Sequence, residues 1–239
     1  MNTPDSAPLV LAITGASGAV YAARLLQSLV AADIPVHAVV SPSGAEVVRQ
    51  EIGLEIGGNS RDLNPLLSYC WPSDSKWPKP SEEDLKKGRK LVKVFNHHDF
   101  MVPIASGSFL TRGMVVCPCS GSTLSGIVHA TSQNLVVRAA DVHLKEHRKL
   151  ILVNRETPLS VFQLENMHRA AQAGAIVLPA MPGWYHGVQS VVDLIDFVVA
   201  RILDHLQIPH QLIRRWGTPT SGPSCVGTSL IGAPNGRTE

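Results

Sequence analysis

The sequence predicts an α/β protein built on a mostly parallel sheet, and three observations carry that expectation. Short continuous apolar runs recur at 9–14, 36–41, 114–118, 150–154 and 175–179. Runs of this length without alternation read as strands buried on both faces. Stretches of helical period lie between and after them, at 19–32, 43–52, 122–130, 135–147, 161–173 and 190–206. Small or turn-forming residues follow each apolar run, so strand and helix alternate, which implies right-handed crossovers with helices on both faces of the sheet.

The first strand runs into Gly15-Ala16-Ser17-Gly18-Ala19 and then a helix. That turn sets backbone N–H groups and the Ser17 hydroxyl at a helix N-terminus, which suits an anion. The same glycines also serve tight strand-to-helix packing. The second strand ends in Ser41-Pro42-Ser43-Gly44. A dinucleotide-binding unit places an acidic residue there to hold a ribose hydroxyl, so a mononucleotide fits this chain better than NAD. Ser41 itself suits either a ligand or the cap of the next helix.

Segment 57–98 breaks the alternation with Gly57-Gly58-Asn59-Ser60, Trp71-Pro72, Trp77-Pro78-Lys79-Pro80 and a charged run over 82–93. It is expected to be an inserted, mostly irregular excursion. His97-His98-Asp99 offers metal-ligating residue types, but neighbours on an extended segment point to opposite sides, which argues against a metal site.

After strand 114–118 comes Cys117-Pro118-Cys119-Ser120-Gly121-Ser122-Thr123-Leu124-Ser125-Gly126. Hydroxyls and glycines at a strand's carboxyl end suit a ligand loop. No neighbouring positive charge would activate Cys119, so it reads as structural. Arg138 and Lys145, seven apart on a helix, share a face. Arg155-Glu156-Thr157-Pro158 follows strand 150–154 directly, placing a cation and a carboxylate where open α/β sheets bind ligands. Tyr185 in Pro182-Gly183-Trp184-Tyr185-His186 and Arg201 on the last helix are further candidates. Each charge taken alone also has an ordinary explanation as a surface pair.

A chain of 239 residues with 44% hydrophobic and 17% charged residues suits one domain over 1–216, and the Gly-, Pro- and Ser-rich stretch 217–239 is expected to be a flexible tail. A dispersed net charge of +2 argues against nucleic acid or a membrane surface as partner. Four cysteines without a CxxC pair indicate neither a disulfide framework nor zinc, and a reducing cytoplasm is the expected setting. The N-terminal apolar run at 8–13 is too short for a signal peptide or a span.

Several of these motifs appear in one order in a known family. The chain resembles the UbiX/Pad flavin prenyltransferases over nearly its whole length, from Ile13-Thr14-Gly15-Ala16-Ser17-Gly18-Ala19 through Ser106-Gly107-Ser108-Phe109, Pro118-Cys119-Ser120, Thr123-Leu124-Ser125-Gly126-Ile127 and Arg138-Ala139-Ala140-Asp141-Val142, then Leu144-Lys145-Glu146, Arg155-Glu156-Thr157-Pro158-Leu159, Tyr185-His186 and Arg201-Ile202-Leu203-Asp204 to Arg215-Trp216. The resemblance implies a flavodoxin-like (Rossmann-like) three-layer sandwich, assembled as a homododecamer, with FMN and dimethylallyl phosphate bound where subunits meet. It assigns FMN to Gly15, Ala16, Ser17, Ser41, Ser120, Gly121, Ser122, Thr123 and Arg155. It assigns the donor phosphate to Arg138, Lys145, Glu156, Tyr185 and Arg201, with Ser106 and Gly107 close by.

The implied chemistry is attack by N5 of reduced FMN on the dimethylallyl carbon, then ring closure at C6. Glu156 would shuttle the proton, Trp216 would offer a π-face to the allylic cation, and Arg138, Lys145 and Ser17 complete the catalytic group. No metal is implied, since the DDxxD-type motif of pyrophosphate-using prenyltransferases is missing from the sequence. The product would pass to a UbiD-type decarboxylase, in ubiquinone biosynthesis or aromatic-acid breakdown. Segment 57–98 is longer than the family's usual one and is expected to cover a subunit interface. An FMN-dependent cysteine decarboxylase is the nearest alternative, but its Pro-Ala-Ser-Ala-Asn-Thr stretch differs from Pro118-Cys119-Ser120-Gly121-Ser122-Thr123. A non-catalytic flavin carrier is the other.

Overall fold

The computed structural model describes residues 6–56, 62–72, 76–215 and 217. Expectations for Trp216 and for the tail after Gly217 lie outside them. The elements run β1 (Leu9–Ile13), α1 (Ala19–Ala31), β2 (Val36–Val40), α2 (Pro42–Ile52), α3 (Asn64–Ser68), α4 (Glu82–Leu91), β3 (Val92–Phe95), a 3₁₀ turn (Pro103–Ala105), β4 (Gly113–Cys119), α5 (Gly121–Val128), α6 (Leu135–Lys145), β5 (Leu150–Asn154), α7 (Val161–Gln172), β6 (Ile176–Val177) and α8 (Val191–Leu206). The strands form one parallel sheet in the order β3-β2-β1-β4-β5-β6. From β1 the chain winds first toward β2 and then, after returning, toward β4. The sheet therefore has its switch point between β1 and β4, where a crevice opens at the carboxyl ends of the strands.

β1 shows why the sheet carries helices on both faces. Leu9, Leu11 and Ile13 pack with Leu25 and Leu29 of α1 and Val199 and Ile202 of α8. Val10 and Ala12 pack into the opposite layer with Leu124 and Ile127 of α5 and Val136 and Ala140 of α6. Successive side chains leave a strand on opposite faces, so a strand that is apolar throughout is satisfied only in a three-layer sandwich.

Two of the polar contacts on the α1 side fix its packing. Arg24 donates to both oxygens of Asp196, at 2.6 and 3.0 Å, joining α1 to α8 with both side chains about nine-tenths buried. Removing one partner of such a pair strands a buried charge, at a cost of about 3–5 kcal/mol. Trp77 covers Arg24, with the guanidinium 5.7 Å from its ring centre, and donates its indole N–H to Gln27 at 3.1 Å.

The expectation of an irregular excursion over 57–98 needs correction, since α3, α4 and β3 all lie within it. Ser81 and Asp84 form a capping box that starts α4. Glu82, Glu83 and Asp84 then sit in its first turn and Arg89 and Lys90 in its last, so the charged run is a solvated helix arranged to suit its dipole. β3 is a four-residue edge strand, Val-Lys-Val-Phe, whose lysine suits an exposed edge. At the other edge β6 is shorter than the run 175–179, though the amides of Leu178 and Ala180 still bond Leu152 and Asn154 carbonyls at 2.8 Å.

Candidate active site

The buried Thr14, at the end of β1, joins the first two ligand loops. Its hydroxyl donates to the Pro118 carbonyl at 2.8 Å and accepts the Ser120 amide at 2.9 Å. The turn after β1 and the loop after β4 are thereby held as one unit at the switch point. A third strand end joins them when Arg155, after β5, donates from Nε to the Ser17 carbonyl at 3.3 Å. The start of α2 is pressed against the same turn: a Cβ at Gly44 would lie 2.5 Å from the Ile13 carbonyl oxygen, so only glycine fits.

These loops border an open cavity of about 530 Å³, lined by Gly15, Ala16, Ser17, Ser120, Gly121, Ser122, Arg155 and Glu156 among the residues expected from sequence. Ser41 and Thr123, also expected from sequence, are absent from its lining. The Ser41 side chain accepts the Gly44 amide at 3.0 Å as the cap of α2, and the Ser120 hydroxyl donates to Thr123 Oγ1 at 2.9 Å within the cap of α5. Sequence reasoning missed the α7 wall of the cavity, namely Ser160, Phe162, Gln163 and Asn166. The signal was present in Ser160 and Gln163, a capping box that brings Gln163 to within 3.3 Å of Glu156 Oε2. The other Glu156 oxygen accepts the Thr157 amide at 3.2 Å.

The anion position expected at the start of α1 is occupied by the chain itself. The amides of Gly18 and Ala19 donate to Glu51 Oε2 at 2.9 and 2.8 Å. A carboxylate satisfies these unpaired N–H groups and the positive end of the helix dipole together, which leaves the hydroxyl loop at α5 and Arg155 as the cavity's anion-holding groups. Cys119 is fully buried and burial pushes its thiol up to about 12, consistent with a packing role.

Arg138 and Lys145 do share a face of α6, against the chain at 105–109. Arg138 donates to the Ala105 carbonyl at 3.1 Å and to Asp141 at 3.2 Å. Lys145 pairs with Glu146 at 3.0 Å, and both side chains lie over Gly107, where an added Cβ would fall 3.2 Å from the ammonium and 2.1 Å from Glu146 Oε1. The Lys145 hydrogen bond holds the Glu146 carboxyl below the usual carboxylate range. Arg148 donates to the Gly107 and Phe109 carbonyls from the other side. From sequence, Glu146 entered only as part of the motif Leu144-Lys145-Glu146, and Arg148 not at all. The helix is anchored by buried His143, which bonds the Ala139 carbonyl at 2.6 Å and Thr111 at 2.8 Å. Burial pushes its imidazole down to about 4, so it is neutral at ordinary pH.

Tyr185 and Arg201 occupy a third region. Tyr185 packs edge-on against Phe197 of α8, 5.7 Å between ring centres, and Arg201 donates to Asp204 at 2.8 Å. Arg138, Lys145, Tyr185 and Arg201 are absent from the cavity lining. Beside the cavity and beside Tyr185 the surface is unusually apolar, with Val161 68%, Phe162 73%, Met181 63% and Trp184 70% exposed. Exposure of this kind marks a surface made for contact.

His97 and His98 sit in a turn with their rings edge to face at 4.9 Å, so the argument that they point apart does not hold. Among the described residues, however, no group of three or more His, Cys, Asp or Glu side chains could hold a metal ion. No helix among the described residues is long and apolar enough to cross a membrane.

The family described as Flavoprotein matches residues 2–203. Flavin prenyltransferase UbiX of Pseudomonas aeruginosa is 43% identical over 218 residues, covering 91% of this chain and 96% of that protein. The crystal structure of AnUbiX (PadA1) in complex with FMN and dimethylallyl pyrophosphate aligns with a TM-score of 0.73 at 33% identity, covering 90% of this chain and 99% of that one. A dodecameric FMN-dependent UbiX-like decarboxylase from Escherichia coli O157:H7 aligns with a TM-score of 0.69 at 36% identity, over 85% of this chain and 96% of that one.

Proposed function

The chain belongs to the Flavoprotein family and, within it, to the UbiX flavin prenyltransferases, and from that premise we propose that it transfers a dimethylallyl group from dimethylallyl phosphate to N5 and C6 of reduced FMN. The observation that carries this reading is the convergence of three strand-end loops, stapled by Thr14 and Arg155, on a cavity faced by Glu156. A volume of about 530 Å³ is within the range of pockets that take drug-sized ligands. The cavity offers groups suited to a flavin mononucleotide: hydroxyls of Ser17, Ser120 and Ser122, backbone at Gly15 and Gly121, the small side chain of Ala16, and the Arg155 guanidinium. Ser41 and Thr123 act through the caps of α2 and α5.

The donor's C–O bond breaks as the bond to N5 forms, phosphate leaves with the electron pair, and the N5 proton is released, so that a C5H9 group replaces a hydrogen. Closure onto C6 then takes up one proton at the prenyl chain and releases one from C6, so the flavin gains C5H8 overall. In this reading Glu156 shuttles the proton, and the hydrogen bonds that Gln163 and the Thr157 amide donate to its two oxygens support that role. Arg138, Lys145 and Arg201 stabilise the charge that develops on phosphate, with Tyr185, Ser106 and Gly107 beside them. Those groups lie away from the cavity of their own chain. A second copy that brings its α6 or α8 region to the cavity would complete the site, and the exposed apolar residues beside it support such an assembly, up to the dodecamer of the Escherichia coli relative. Trp216 remains the proposed π-face for the allylic cation. A UbiD-type decarboxylase is the proposed recipient of the product and the cytoplasm the proposed compartment.

The test is anaerobic incubation with reduced FMN and either dimethylallyl phosphate or dimethylallyl pyrophosphate, followed by mass spectrometry of the released flavin. A gain of C5H8 from the monophosphate is expected. Tight binding of unaltered flavin with both donors would overturn the reading in favour of a carrier.

A further inference from the structure

We infer that Arg148 is a positioning residue for donor binding: its guanidinium clamps segment 106–109 against Lys145 and so fixes the backbone and hydroxyls that the donor phosphate meets. The inference rests on the prenyltransferase reading and deepens it, since Arg148 lies outside the residues assigned to either ligand.

The clamp starts from the end of α6. His147 takes a left-handed conformation, φ 53. Its amide donates to the Leu144 carbonyl at 3.1 Å and the Arg148 amide to the His143 carbonyl at 2.8 Å, the paired bonds of a Schellman cap. His143 is buried and bonded to Thr111, so Arg148 leaves the helix from a fixed point. Its Nη1 donates to the Phe109 carbonyl at 2.7 Å and its Nη2 to the Gly107 carbonyl. A planar guanidinium holds its donors in a rigid fork, and one side chain therefore sets both peptide units.

In a trans peptide the N–H points opposite to the C=O. Holding the Gly107 carbonyl at Arg148 thus turns the Ser108 amide away from it. Ser106 and Ser108 are both exposed, with their hydroxyls 3.0 Å apart. Lys145 closes on the same segment, since a Cβ added at Gly107 would lie 3.2 Å from its ammonium. Phe109 secures the far end: its ring stacks on His37 of β2, 5.5 Å between centres and 7° between planes, and His37 in turn meets the edge of Phe95 at 5.1 Å. Arg138 and Lys145 pair with carboxylates, whereas Arg148 bonds main-chain carbonyls. That difference suits Arg148 to hold a loop and the other two to exchange partners with phosphate. A segment ordered beforehand loses less entropy when the phosphate binds.

The experiment compares wild type, Arg148→Lys and Arg148→Ala for donor KM, kcat, FMN affinity and backbone hydrogen exchange over 106–110. In Arg148→Ala the exchange should quicken and donor KM rise roughly tenfold, the order of one charged hydrogen bond, with FMN affinity and kcat kept within about twofold. Lysine keeps the charge without the fork, so Arg148→Lys should raise donor KM about threefold. Wild-type donor KM or unchanged exchange in Arg148→Ala, with active wild type, would overturn the clamp. So would wild-type donor KM in Arg148→Lys, which would leave charge alone as the role and which decides the matter if Arg148→Ala does not fold. A parallel loss of FMN affinity and donor binding would reduce Arg148 to a general structural part and overturn the proposal as well. Wild type unable to prenylate flavin would instead overturn the parent reading and the donor role with it, while the exchange at 106–110 would still report whether Arg148 holds the segment.

Discussion

The loops after β1, β4 and β5 converge within one chain, whereas the cations of α6 and α8 stay apart, each held by a nearby carboxylate. The loops are stapled by a hydroxyl and a guanidinium that bond to main-chain groups of other strands, so the parallel sheet sets their geometry. Arg138, Lys145 and Arg201 are paired locally instead, with Asp141, Glu146 and Asp204. Local ion pairs at half-exposed sites are weak and screened, which suits groups that must exchange a carboxylate for a phosphate. On the proposed reading, one chain brings together the loops of the flavin cradle and supplies only the parts of a donor site.

The sharpest way to break this comparison is Glu156→Gln. Prenyl transfer should fall by roughly 100- to 10,000-fold, the usual contribution of a positioned acid or base, while FMN titration shows affinity unchanged. Full turnover in that variant would mean that the chemistry lies outside the cradle. Mixing comes next. Glu156→Gln and Arg201→Ala should each be inactive alone, and refolding them together should restore about a quarter of wild-type activity if a site draws the two residues from different copies. A mixture that stays inactive would place both residues in one chain's site.

On the donor side, His143 anchors α6 as a neutral group. Its ordinary value near 6.5 applies when unfolded and about 4 when folded. Its contribution is therefore intact above pH 6.5, declines between 6.5 and 4 as only the unfolded chain takes up the proton, and changes no further below. The loss should amount to roughly 3 kcal/mol across that window, read as the part of the pH dependence of the urea midpoint that disappears in His143→Leu. The smallest effect is expected on the cradle side. Ser41→Ala removes the cap of α2 and should cost about 1 kcal/mol of stability with FMN affinity little changed. A tenfold loss of affinity in a flavin titration would make Ser41 a direct ligand.

Much of this was legible because strand and helix patterns are local. The apolar runs at β1, β2, β4 and β5 and the helical periods between them determined an α/β sandwich with a parallel sheet, since a strand with no polar face must be covered twice. The turn after β1, the hydroxyl loop after β4 and Arg155-Glu156 were recognisable for the same reason: each sits at the carboxyl end of a recognisable strand. α4 and β3 were missed where charge outweighed pattern, although Ser81 and Asp84 already carried the capping signal. Only the tertiary structure decided that Glu51 covers the amides of Gly18 and Ala19, that Thr14 joins loops 104 residues apart, and that Asp204 gathers two arginines. Such contacts depend on which strands lie side by side and on where the chain turns back, and no local pattern encodes either.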